Sequence, residues 1–288
     1  MRKTRSMRNL KRSKRFVGGD AICNPTRKKK DGTCFKDSEL LHIRDVWNNF
    51  SSDKIHATTT REIWKQLYNK MKGVCKSENC WTEQPFLQNS DLKSSFAPKS
   101  PKSWDKNPNE WLSNVDILSV LKQYEKAYKC FKFLGPYSID FDGETGKPCV
   151  EKEMCNFQLK EYIKNGYKKI GFVFNTDPHY KSGEHWISLF INLNANEIFF
   201  FDSAGDKIPK EIKQFVNRVI EQGKHLSPSL NIQFDQNNKT HQNTSTECGM
   251  YALYFIINML KDTVTSKEIK TRRIPDNHVF GMRKRYFN

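Results

Sequence analysis

The sequence predicts an α+β fold, and three observations carry that reading. Residues 34–72 repeat their apolar positions at helical steps. Residues 169–203 hold three short apolar runs of strand type separated by brief links. Residues 248–260 are apolar on nearly every side, as a helix buried inside a domain is.

The chain has 288 residues and a net charge of +17. Residues 1–30 hold twelve Lys and Arg against the single acid Asp20, so most of the excess sits there. Like charges repel and little apolar surface is present, so this segment is expected to be a solvated arm. Such an arm contacts nucleic acid, serves nuclear import, or merely solubilises the chain. It lacks the apolar stretch of a secretory signal. Hydrophobic residues make up 36% and aromatic residues 12%, enough for a core. The longest apolar run, residues 250–257, has eight residues against the ~20 needed to cross a bilayer. That excludes a membrane-spanning protein.

Beyond the arm, Asp37-Ser38 offers a helix cap, followed by Leu40, Ile43, Val46, Trp47 and Phe50 on one face. A second start at Thr58 to Thr60 precedes Ile63, Trp64, Leu67, Tyr68 and Met71. Pro85, Pro98, Pro101 and Pro108 then mark an irregular connection through 73–108. The expected division is therefore an arm over 1–30, a helical region with its connection over 31–108, and the main domain over 109–288.

In that domain Ile117, Val120, Leu121 and Tyr124 lie on one helix face. Strands follow at 169–176, 186–193 and 197–203, a helix over 209–221, a strand at 230–235 and the buried helix at 248–260. The eight cysteines are irregularly spaced and are expected to be mostly core thiols, as in a reducing compartment. Neither Cys75/Cys80 nor Cys149/Cys155 has the two-residue gap of a zinc site, so no metal or other cofactor is expected.

Chemistry concentrates in two places. Asn194-Ala195-Asn196 links two strands as a hairpin, and folding there brings His185 and Asp202 towards the same end. One is a base near neutral pH and the other a carboxylate able to orient it. Thr246-Glu247-Cys248-Gly249 opens the buried helix, and a thiol at a helix N-terminus faces the positive end of the dipole, which favours thiolate. Cys, His and Asp together follow the nucleophile, base and orienter logic of acyl transfer. Gln242, six residues before the Cys, could join the Cys248 N–H as an oxyanion donor. Taken singly, each has an ordinary alternative: a core Cys, a surface His, a loop-capping Asp, a solvated Gln.

Gly183-Glu184-His185-Trp186, Phe201-Asp202-Ser203-Ala204-Gly205, His241-Gln242 and Thr246-Glu247-Cys248-Gly249 together resemble the cysteine proteases that process ubiquitin-like proteins. The same clan holds the adenovirus protease and the polyprotein proteases of large cytoplasmic DNA viruses, and the overall likeness to the latter covers about residues 70–288. The stretch from Trp111 to Ile117 resembles the Trp-Leu-Asn-Asp segment that opens the catalytic domain of the SUMO proteases.

The resemblance implies a papain-like fold in permuted order, with Cys248 as nucleophile, His185 as general base, Asp202 as orienter and Gln242 as oxyanion donor. It implies that Trp186 and Trp111 are walls enclosing a diglycine. A slot between two indoles suits a chain without Cβ atoms. The swine fever virus member of the clan has Asn where this chain has Asp202, so the orienter is closer to the SUMO-protease type.

The function implied is an endopeptidase cutting viral polyproteins after Gly-Gly, as a monomer, in the virion or the infected cytoplasm. Nuclear entry and DNA contact through the arm are further expectations. Rival readings are a deconjugase for ubiquitin-like modifiers and a basic nucleic-acid-binding virion protein with a vestigial protease fold. The arm contains Phe16-Val17-Gly18-Gly19-Asp20, which is either a site of self-cleavage after Gly19 or a flexible joint.

Overall fold

A computed structural model describes residues 21–30, 32–88, 90–143 and 148–288. Their contacts divide into two compact units, with the boundary between Phe96 and Ala97. Among the described residues no helix is long and apolar enough to cross a membrane.

In the first unit, α1 (Asp37–Phe50) and α2 (Thr60–Met71) form where the apolar spacing predicts them. Leu40 and Ile43 of α1 and Ile63, Trp64, Leu67 and Met71 of α2 are buried. Thr59 caps α2 by accepting the Glu62 N–H. The start of α1 lies one residue earlier than expected, at Lys36, whose N–H donates to the Glu39 carboxylate at 2.8 Å. Phe50 is 65% exposed, because the helix ends on it.

Residues 73–96 are more ordered than an irregular connection. The short helix α3 (Glu78–Trp81) and two 3-10 turns carry Trp81, Leu87 and Leu92 into the core of this unit, beside Phe96. Glu78 is wholly buried and accepts from Thr33 Oγ, the Cys34 N–H and Trp64 Nε1 at 2.7, 2.8 and 2.9 Å. Burial pushes its carboxyl pKa up, and the three donors oppose that shift.

Residues 21–30 also differ from the expected solvated arm. Ala21 is buried, Cys23 is bonded to Cys34, and Arg27 pairs with Glu39 at 2.8 Å. Residues 1–20, including Gly18-Gly19, lie outside the described residues. The expectation of free thiols is corrected as well: Cys23–Cys34, Cys75–Cys80 and Cys149–Cys155 are disulfides, and Cys130 and Cys248 are free. The pairs are 11, 5 and 6 residues apart, so short loops bring their Cα atoms to 5.2, 5.5 and 6.3 Å. Those separations suit bridging.

The second unit holds α4 (Asn114–Ala127), β1 (Phe131–Ser138), α5 (Lys152–Cys155), α6 (Leu159–Lys164), β2 (Lys169–Asn175), β3 (Trp186–Asn192) and β4 (Glu197–Phe201). It continues through α7 (Lys210–Lys224), β5 (Gln233–Gln236), α8 (Cys248–Leu260), α9 (Ser266–Thr271), α10 (Asp276–Gly281) and α11 (Arg283–Tyr286). It begins before residue 109 because the segment after Phe96 pairs with the chain end: Asn288 N–H donates to the Pro98 carbonyl and Ser100 N–H to the Asn288 carbonyl.

The sheet order is β1-β2-β3-β4-β5, antiparallel through β2-β3-β4 with a parallel strand at each edge. Side chains alternate between two covered faces, so the central strands read as continuous apolar runs. Ile187, Leu189 and Ile191 of β3 pack with Phe215 and Val219 of α7, while Phe190 packs with the α8 core. Eleven of the thirteen α8 residues are buried, which explains its all-round apolar sequence. At ~2 kcal/mol for each large apolar side chain buried, the two faces hold the sheet rigid under the site. No strand pattern marks β1 in the sequence, because Gly135-Pro136 interrupts it. The register slips between Leu134 and Tyr137 at that point, a defect an edge strand tolerates.

Candidate active site

The β3–β4 register pairs Ser188 with Phe201, so His185 and Asp202 leave the two strands at the same end. His185 Nε2 lies 2.7 Å from Asp202 Oδ1. Asp202 is buried, and its Oδ1 also accepts the Ala204 N–H at 2.8 Å. Its backbone is clamped by the side chain of Asn237: the Asp202 N–H donates to Oδ1 at 2.9 Å, and Nδ2 donates to the Asp202 carbonyl at 2.7 Å. Asn237 is fully buried, sitting just past β5.

Cys248 is buried at the first turn of α8 and acts on the same imidazole, favouring its charged form together with Asp202. Burial works against a charged His185, but the hydrogen bonds and charges of Asp202 and Cys248 prevail and push its pKa up to about 10. The imidazolium is therefore its resting form at neutral pH. Gly249 makes the thiol's placement possible, since a Cβ there would stand 2.9 Å from Leu112 Cβ and 3.2 Å from Trp186 Cδ1. The Trp186 indole N–H donates to the Leu112 carbonyl at 2.9 Å, fixing the ring.

Gln242 is tied to the end of β4. Its N–H and that of His241 both donate to the Ser203 carbonyl, and Ser203 Oγ donates to Gln242 Oε1 at 2.8 Å. One proton of Gln242 Nε2 is used on the Thr244 carbonyl, which leaves the second for another acceptor. His241 itself faces inward: it is buried, with Nδ1 accepting the Ile274 N–H at 3.0 Å. Burial, aided by Lys239 and Arg273, pushes its pKa down to about 4.

Trp111 and Trp186 line one cleft of about 590 Å³, together with Tyr137, Asn175 and Gly183. Trp111 is 44% exposed, so it presents its ring rather than filling a core. The described geometry thus joins His185 and Asp202 directly, brings Trp186 against Gly249 beside Cys248, and lines one cleft with Trp111 and Trp186. Among the described residues no cluster could hold a metal ion.

Sequence reasoning missed Asn237 and the role of Ser203. Ser203 lies inside a quoted motif, whereas Asn237 sits in a polar run with no periodicity to mark it.

A cysteine, a histidine and a buried carboxylate of this kind suit acyl transfer. Residues 167–288 match the Ulp1 protease family C-terminal catalytic domain, and residues 95–225 match the Vaccinia virus I7 processing peptidase family. The second unit contains both the site and the whole stretch similar to the Ulp1 catalytic domain.

A protein of Acanthamoeba polyphaga mimivirus that bears the name of a thiol protease is 26% identical over 282 residues, covering 88% of this chain and 90% of that one. The SUMO-1 cysteine protease of African swine fever virus is 25% identical over 247 residues, covering 79% of this chain and 88% of that protein. A crystal structure of the swine fever virus protease superposes with a TM-score of 0.69 at 20% identity, over 95% of this chain and 98% of that one. The papain-like fold is thereby shown, in the permuted His, Asp, Cys order.

Proposed function

We propose that this chain is a viral cysteine endopeptidase that cleaves virion precursor proteins after Gly-Gly during assembly, in the virion or the infected cytoplasm. The observation that carries the reading is the Cys248–His185–Asp202 constellation set beside a Trp-lined cleft. Cys248, as thiolate, attacks the glycyl carbonyl. The Cys248 N–H and the second proton of Gln242 Nε2 meet the oxyanion. The His185 imidazolium gives its proton to the departing amine as the C–N bond breaks. Water gives a proton to His185 as it attacks the thioester, and collapse releases the carboxylic acid and restores the thiolate–imidazolium pair. Asp202 holds the ring throughout. Trp186 and Trp111 narrow the approach so that residues lacking Cβ atoms fit best.

Action on a ubiquitin-like modifier is the second reading, and the matches to the Ulp1 family and to a protein named SUMO-1 cysteine protease favour it. Peptides varied around Gly-Gly-X and folded ubiquitin-like precursors, each incubated with wild type and Cys248→Ala, separate the two by mass spectrometry. Short peptides cut after Gly-Gly by wild type alone support the first reading. Cutting confined to the folded precursors replaces it with the second. DNA contact through the basic residues of 1–30 belongs to the proposal too, and calls for binding that weakens steeply with salt and survives Cys248→Ala.

A further inference from the structure

We infer that Arg283 is a positioning residue that holds the nucleophile and the cleft wall in register through Glu247. The inference rests on the endopeptidase reading above. Glu247 is the N-cap of α8 and directly precedes Cys248, yet its side chain makes no cap bond. Its carboxylate turns instead to Arg283, with Nε to Oε2 at 3.2 Å and Nη2 to Oε1 at 3.0 Å. The two side chains are only 5% and 3% exposed.

The same Nη2 donates to the Glu110 carbonyl at 2.8 Å, immediately before Trp111. One residue past Trp111, the Leu112 carbonyl takes the Trp186 indole N–H, and Trp186 follows His185. One guanidinium therefore closes a circuit from Cys248 through Glu247, Glu110 and Leu112 to Trp186 and His185. The Trp104 ring, 4.4 Å from the guanidinium carbon, holds the fork from its face.

Retaining an arginine here has a cost, which is part of the argument. Nη1 is buried without a partner, which costs stability. Buried ion pairs can often be exchanged for well-packed apolar side chains with no loss of stability. A pair kept in spite of that cost is explained by what its geometry does. Lysine cannot reproduce it, since a single ammonium lacks the planar fork that meets both Glu247 oxygens and the Glu110 carbonyl.

The test uses full-length protein carrying Cys130→Ser, which removes the other free thiol found among the described residues. Arg283→Lys, Glu247→Gln and the double variant Glu247→Met/Arg283→Met are compared for four quantities. These are kcat and KM on a Gly-Gly peptide, preference for Gly-Gly over Gly-Ala, alkylation rate of Cys248 by iodoacetamide, and thermal midpoint. Arg283→Lys is expected to lower kcat/KM by about 10–100-fold and to shrink the Gly-Gly preference. The double variant is expected to keep the wild-type midpoint while remaining equally slow.

Wild-type rate and preference in the stable double variant would overturn the inference, as would Arg283→Lys within about twofold of wild type. If the double variant does not fold, Arg283→Lys and Glu247→Gln decide through alkylation: slowed Cys248 modification supports the positioning role, and an unchanged rate defeats it. A wild type that alkylates at Cys248 but cuts no Gly-Gly peptide removes the endopeptidase reading, and the alkylation comparison still decides this one.

Discussion

His185 and Asp202 are separated by 17 residues and meet because one hairpin folds on itself. Cys248 and Gln242 are held by other means: Gln242 by the Ser203 carbonyl, and Cys248 by the buried α8 and a clamp on its neighbour Glu247 from Arg283, 36 residues further on. The base side rests on backbone register, which a strand pair sets by itself. The nucleophile side rests on individual side chains drawn from remote parts of the chain. Damage to the base side should therefore change the chemistry of the imidazole, whereas damage to the nucleophile side should change where the thiol sits.

The largest expected effect breaks the base side. Asp202→Ala removes the hydrogen bond and charge that outweigh burial at His185, so its pKa falls from about 10 towards and below the ordinary 6.5. The imidazolium exists below that pKa, so activity that needs it is lost as pH rises through it. Wild type should hold its alkaline limb to about pH 10, and the variant should lose activity at far lower pH. Its kcat should also fall ~10³-fold or more at neutral pH. The pH dependence of kcat/KM measures both.

Asn237→Ala tests whether the hairpin positions Asp202 unaided. Two buried hydrogen bonds at 2.9 and 2.7 Å are lost, for about 2–3 kcal/mol of stability by urea unfolding. If the strand register alone sufficed, kcat would be unchanged. A fall of ~10-fold is expected, because the carboxylate lies just beyond the last paired residue of β4.

Gly249→Ala tests the nucleophile side more gently. The added methyl meets Leu112 Cβ at 2.9 Å and Trp186 Cδ1 at 3.2 Å, so the wall or the helix start must shift. A cost of about 1–3 kcal/mol is expected, with KM for Gly-Gly peptides rising more than kcat falls. Equal kinetics for the variant would show that the wall yields freely.

The same contrast explains what could be read from the sequence. His185, Asp202 and the ends of α8 follow from local pattern, because hairpin arithmetic and the boundaries of an apolar helix are short-range facts. Asn237 and Arg283 left no such trace: each acts through contacts that form only when distant segments pack. Strand β1 was hidden by Gly135-Pro136, which an edge strand can absorb but a strand pattern cannot reveal. The disulfides were hidden because spacing says little until loops close, and the order of residues 73–96 depends on a core that their prolines and polar residues do not advertise.

The smallest effect concerns the loop that carries Gln242. His241 is buried and neutral, and its pKa is pushed down from 6.5 to about 4 by burial, Lys239 and Arg273. The unfolded chain takes up a proton below 6.5 that the folded chain refuses until about 4, so stability present above 6.5 drains away as pH falls through that window. At ~1.4 kcal/mol per pH unit the group accounts for ~3 kcal/mol at most.

His241→Asn keeps an acceptor where Nδ1 meets the Ile274 N–H but cannot titrate. The variant should be somewhat less stable than wild type at pH 7, because a smaller side chain occupies the site, yet lose less on acidification. Urea midpoints at several pH values between 4 and 7 measure this difference, with the carboxylates common to both proteins cancelling. Parallel slopes would mean that the acid response lies elsewhere. A flatter slope for the variant would place it one residue from Gln242, in the loop that the Ser203 carbonyl ties to the end of β4.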